Sequence, residues 1–230
     1  MRAFRRERGM LVAELNADER AAVAAVVADV AQLLGAGRLE DRGATGRPGD
    51  DDMPGGLPTA EHLAGLSLRI DDIQAPDDAA VRRLLPDASR HEPAVSAEFR
   101  RLTEDDLRQV KTARLTALWD ALTTRPADGW PAGALVVRPD AGADLAATIT
   151  DLRLVLADRL GLDDDEASEA LYADLERGLP DDDGGDDGDD GAQPDQPADV
   201  RRYLGSIYAA LSWLQESLID VLLDELDRPR

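Results

Sequence analysis

The stretch VRRYLGSIYAALSWLQESLIDVLL, Val200 to Leu223, decides the fold. Val200, Leu204, Ile207, Leu211, Leu214, Leu218 and Val221 alternate steps of four and three residues, which draws one apolar stripe down a helix. Tyr208, Ile219, Leu222, Leu223 and Leu226 widen the stripe until the end of the helix is apolar over most of its girth. Such a helix must be buried against other helices, in its own fold or in a partner. Gln215, Glu216 and Ser217 interrupt the apolar surface and mark its expected wet side.

Composition supports helix-on-helix packing. Apolar residues make up 43% of the 230 residues, but aromatics only 3%, so the core is built from Leu, Val and Ala. The net charge is -22, and it is local. Residues 161–200 hold 16 acids and one base, Arg177, which is -15 of the total and leaves -7 elsewhere. Phosphates repel such a segment, which argues against direct nucleic-acid binding. The chain has no cysteine, so disulfides, thiolate metal sites, thiol catalysis and thiol redox sensing are excluded. Gly9 to Leu15 is too short for a secretory signal, and the Ala/Val run at 21–34 is too short to span a bilayer and contains Asp29. A cytoplasmic protein with no membrane span is expected.

Working back from the last helix, Asp181–Gly191 contains only Asp and Gly. It reads as a disordered linker over 180–197 between a helical domain at 1–179 and the closing helix at 198–230, which packs onto that domain. A calcium loop starting at Asp181 would need a closing acid at its twelfth position, which is Ala192. Helices are expected over 141–160, ended by Gly161, and over about 165–177. Ala134 to Arg138 reads as a strand whose partner is an N-terminal hairpin, Phe4–Arg8 and Met10–Leu15 flanking Gly9. Asn16 and Glu19 form a capping box for a helix over 17–34, which buries Val23, Val26, Val27, Val30, Leu33 and Leu34 and ends at Gly35.

Between these, residues 36–57 have no period and read as a flexible connection. A short helix is expected over 59–66. Asp77 and Asp78 cap another, with Val81, Leu84 and Leu85 as its apolar side and Pro86 as its stop. Pro93 opens a helix to about Arg101, and Thr103 caps a separate one to about Leu122 that buries Leu107, Val110, Leu115, Leu118, Trp119 and Leu122. The fold class is therefore mainly α, a helical bundle with a small hairpin or short sheet.

Candidate binding residues fall into two groups. Arg101, Arg108 and Lys111 lie near one helical face, with Arg100 and Arg114 beside them. They read as a grip for an acidic partner, as a seat for the chain's own acidic linker, or as a solvated face. Tyr208 and Trp213, with Tyr203, read as partner-facing anchors or as core. Arg2, Arg5, Arg6 and Arg8 read as a charged edge strand or as a contact for nucleic acid or an acidic partner. His62 and His91 are the only histidines and read as surface residues. No nucleophile elbow, phosphate loop or paired-carboxylate motif stands out, so no catalytic residue, metal site or cofactor is assigned.

The segment Tyr208–Leu223 resembles the closing helix of an actinobacterial family, most of whose members are known only as a domain of unknown function and whose named members are AosR-like oxidative-stress transcriptional regulators. Val81-Arg-Arg-Leu-Leu-Pro-Asp87, the Leu107–Leu122 helix, Leu152-Arg-Leu-Val-Leu-Ala-Asp-Arg-Leu-Gly161 and the N-terminal Phe-Arg-Arg hairpin follow the same pattern in order. The resemblance implies a cytoplasmic, mostly helical, non-enzymatic regulatory interaction protein. It implies a partner in transcription, a stress sigma factor. Regulators of that family sense oxidants through paired cysteines, and this chain departs from them there, having none. Two other readings stand beside it: an adaptor that forms a homodimer through its C-terminal helix, and an enzyme or metal binder that works through acids.

Overall fold

In the computed structural model the described residues are 1–43, 76–89, 91–177 and 196–226. The hairpin forms first along the chain. Strand β1 (Arg2–Glu7) pairs antiparallel with β2 (Met10–Glu14), Glu7 opposite Met10. Arg8 and Gly9 between them have φ of 52° and 80°, the left-handed pair that a two-residue turn between twisted strands demands. Arg8 accepts this geometry while its guanidinium donates to the Gly129 carbonyl at 2.9 Å and lies 5.0 Å over the Trp130 ring. Strand β3 (Ala134–Val137) pairs antiparallel with the other edge of β2, Leu11 opposite Val137 and Glu14 opposite Ala134. The sheet order is β1-β2-β3. Leu15 N–H donates to the Gly133 carbonyl at 2.9 Å, so closely that a Cβ at Gly133 would lie 2.5 Å from the Leu15 carbonyl oxygen. Only glycine fits there.

Helix α1 (Ala17–Leu33) starts at the expected capping box: Asn16 Oδ1 accepts from Glu19 N–H, and Glu19 accepts from Asn16 N–H, both at 2.8 Å. Burial opposes ionisation of Glu19, but hydrogen bonds from the Met1 ammonium and Asn16 N–H outweigh it and lower its pKa. Gly35 ends the helix with φ 85°, while Ala36 N–H reaches back to the Ala31 carbonyl. Beyond it the structureless connection expected over 36–57 is corrected at its start, residues 44–57 lying outside the described residues. Glu40–Gly43 is a 3-10 turn, and Leu39 just before it is fully buried, a single apolar anchor that periodicity cannot reveal. The expected helix over 59–66 and the Asp/Gly run lie outside the described residues.

Helix α2 (Ala79–Leu84) begins at Asp78, whose carboxylate accepts from Ala80 and Val81 N–H, and buries Val81, Leu84 and the following Leu85. Helix α3 (Pro93–Thr123) is one continuous rod rather than two helices. Thr103 does not cap; its Oγ1 donates to the Phe99 carbonyl, one turn back inside the helix. Glu104 spans the expected break, pairing with Arg100 at 3.1 Å and Arg108 at 2.5 Å, each one turn away. Leu115, Leu118 and Leu122 are buried and Trp119 is half-buried, whereas Leu107 and Val110 are exposed. Only the C-terminal part of α3 therefore presents its apolar face to the core.

Helix α4 (Gly142–Leu160) follows β3 and a 3-10 turn, Pro139–Ala141. It buries Leu145, Ile149, Leu152, Leu156 and Leu160 and stops at Gly161, φ 68°. Helix α5 (Asp165–Arg177) seats Leu171 against α4 and Gly205 of the last helix, α6 (Gln196–Leu226). Ile207, Leu211, Leu214 and Leu218 of α6 enter one continuous core with Phe4, Leu11, Leu34, Leu84, Leu115 and Leu152. Four of the seven stripe residues are thus buried, Leu204 and Val221 are half-buried, and Val200 is exposed. Ile219 and Leu223 are also exposed, so the end of α6 is less enclosed than its composition suggests.

The expected wet side of α6 holds at Glu216, which is exposed, and is corrected at its neighbours. Gln215 is buried: its amide donates to the Ala146 carbonyl at 3.1 Å and Thr150 Oγ1 at 2.6 Å, and its carbonyl accepts from Arg153 at 2.6 Å. Ser217 Oγ accepts from Phe4 N–H at 3.1 Å, fastening α6 to β1. Gln215 lies four residues beyond Leu211 and three before Leu218, on the buried face, and it stays there because α4 satisfies its amide.

Candidate functional site

The basic group on α3 is held within the molecule. Arg108 pairs with Glu104 and donates to the Leu34 carbonyl at 3.2 Å, joining α3 to the end of α1. Lys111 Nζ lies 2.6 Å from Asp151 on α4, both side chains largely buried. Arg114 reaches Asp144 at 2.7 Å. Buried Arg100 pairs with Asp87 as well as Glu104. Arg101 alone of the three candidates points outward, and it pairs with Glu98 at 2.7 Å. That hydrogen bond raises the Arg101 pKa and lowers that of Glu98.

The aromatic group divides differently. Tyr208 is half-buried, and the Arg153 guanidinium lies 5.4 Å over its ring, fixed by Gln215. Trp213 is 43% exposed and Tyr203 55% exposed, so neither is core. They flank a groove of about 590 Å³ between α1 and α6. Ala22 and Val23 of α1 and Ile207 and Ala210 of α6 line its apolar part; Asp18, Glu19 and Met1 line its α1 side. The spacing of the α6 aromatics was legible in sequence. The α1 side was not, because it depends on how two helices distant in sequence approach each other.

A second apolar surface runs along the N-terminal half of α3. Val95, Phe99, Leu102 and Val110 follow one another at helical spacing, and Phe99 and Leu102 are 50% and 60% exposed. A third feature is a cavity of about 450 Å³ between α3, α4 and β3, lined by Ala113, Ala117, Leu118, Val136 and Leu145, with the Arg114–Asp144 pair at its edge. Among the described residues no three His, Cys, Asp or Glu side chains converge to hold a metal ion. His91 is exposed, and His62 lies outside the described residues. No described helix is long and apolar enough to cross a membrane.

These features define a mainly helical protein with a small antiparallel sheet and exposed apolar faces. Residues 1–222 match the family model Domain of unknown function (DUF2017), and the chain belongs to that family. No curated protein and no solved structure matches it.

Proposed function

We propose that the chain is a non-enzymatic, cytoplasmic regulatory interaction protein whose partner belongs to the transcription machinery, a stress sigma factor in the reading that the resemblance to AosR-like oxidative-stress regulators of actinobacteria supports. The observation that carries the interaction role is the stripe of large apolar side chains left in solvent on α3, Val95, Phe99 and Leu102, together with exposed Tyr203 and Trp213 at the separate groove on α6. Contiguous exposed apolar surface on a soluble body marks contact sites. The input signal differs from that of thiol-sensing relatives, since no cysteine is present. Affinity capture with the full chain from resting and oxidant-stressed cells tests the reading. Recovery of a polymerase or sigma subunit is expected, and capture that returns neither overturns it.

A second reading is an adaptor that dimerises through α6. Exposed Val200, Ile219 and Leu223 on that helix favour it. Light scattering at high concentration decides it: a dimer supports this reading, and a monomer removes it.

A further inference from the structure

The groove between α1 and α6 has a definite length, floor and charge. Tyr203 and Trp213 stand ten residues apart on one helix, about 15 Å along its axis. Between them the α6 side is small, Ser206 and Ala210, and the floor is Ala22, Val23 and Ile207. Two to three turns of a helix fit between the aromatic walls. Asp18 lines the groove on α1 and is exposed. Beyond the Trp213 end of the lining, exposed Glu216 and Asp220 follow Trp213 by three and seven residues and continue its face of α6, so a helix that runs on past Trp213 meets acids there too. Among the described residues none of these three carboxylates has an ion-pair partner, whereas the cation that lines the groove, the Met1 ammonium, is engaged by Glu19.

We propose that this groove binds an amphipathic helix of a partner protein, with an apolar stripe for the floor and Lys or Arg along its flanks. The proposal rests on the reading of the chain as an interaction protein and gives the chemistry of its partner. An apolar stripe at helical spacing covers Ala22, Val23, Ile207 and Ala210, and Trp213 and Tyr203 are the residue types that concentrate binding energy at interfaces. Flanking cations meet Asp18, Glu216 and Asp220. A second copy of this chain would bring the same carboxylates against themselves, and an anionic lipid surface or nucleic acid would be repelled by them.

The test uses the full chain and two synthetic 14-residue peptides. Both carry leucine at helical spacing; one has lysine and the other glutamate at the remaining positions. The readout is the indole N–H resonance of Trp213, assigned with Trp213→Phe, against those of Trp119 and Trp130. This localises binding to the groove and separates it from general attraction to the acidic residues of 161–200. The lysine peptide is expected to move the Trp213 signal alone, and the glutamate peptide to leave it in place. Asp18→Lys combined with Asp220→Lys is expected to weaken the lysine peptide about tenfold, with the melting transition retained because both sites are exposed. An unmoved Trp213 signal, or equal affinity for the two peptides, overturns the proposal. If the lysine peptide binds as expected while affinity capture returns no transcription component, the groove assignment stands and the transcription reading falls. If capture returns such a component equally well with the doubly substituted chain, the reading stands and the groove assignment falls.

Discussion

Arg20 reaches from the first turns of α1 to four main-chain carbonyls: Leu122 at 2.9 Å, Ala121 at 2.8 Å, Thr124 at 3.1 Å and Ala134 at 3.0 Å. Three of these close the end of α3, where orphan carbonyls and the negative end of the helix dipole favour a cation. Arg20→Ala is expected to destabilise the fold by about 2–3 kcal/mol in urea denaturation, since hydrogen bonds to a charged group exceed neutral ones. Arg20→Lys should recover only part of this, because an ammonium lacks the planar fork. A loss under half a kcal/mol for Arg20→Ala would show the contacts to be incidental. Asp78 combines a cap for α2 with a hydrogen bond from Arg159 at 2.6 Å. The Arg159 hydrogen bond lowers the Asp78 pKa, and the amides of Val81 and Ala80 act in the same direction against the opposing effect of burial. A carboxylate whose pKa is lower in the folded state contributes fully above its unfolded pKa of about 4 and loses that contribution as pH falls through the folded value. Asp78→Ala should therefore cost about 1 kcal/mol at neutral pH. The difference from the parent chain should shrink in urea titrations taken progressively below about pH 4. A difference that grows on acidification would contradict this.

At the scale of elements, the two long helices use their apolar residues in opposite ways. Leu211 and Leu218 of α6 are fully buried in the common core, whereas Phe99 and Leu102 of α3 face water. Leu211→Ala or Leu218→Ala should cost about 2–5 kcal/mol, while Phe99→Ser or Leu102→Ser should stay within about 0.5 kcal/mol by thermal or urea unfolding. Large losses at Phe99 or Leu102 would mean that the α3 face is covered in the free protein. The same contrast marks what was legible in the sequence. Regular spacing disclosed α1, α4 and the α6 stripe, because each offers an apolar face to a neighbour along most of its length, whereas α5 buries Leu171 alone. It failed on α3, where apolar spacing continues past the point at which neighbours end, and where the Arg100–Glu104–Arg108 ladder carries the helix through Thr103. It failed again at Gln215, a polar residue retained inside by partners on α4 that lie more than sixty residues away. The candidate cations were found as a group, but their pairing with Asp151, Asp144 and the Leu34 carbonyl is a tertiary fact. The groove wall on α1 was invisible for the same reason.

At the scale of the whole molecule, α6 joins the parts. It packs against α4, meets β1 through Ser217 and Phe4, and closes over α5 through Gly205 and Leu171. Burying Ile207, Leu211, Leu214 and Leu218 at about 1.5–3 kcal/mol each places its contribution on the scale of a domain's entire net stability. Without α6, Phe4, Leu152 and Leu156 would lose the cover of its apolar flank. The most direct measurement is therefore denaturation of a chain ending at Ala198, followed by near-UV circular dichroism beside the full-length protein. Loss of the cooperative transition and of fixed aromatic signals, with helical content partly retained, is the expected result. A truncated chain that melts cooperatively near the full-length temperature would show that the core is complete without the closing helix.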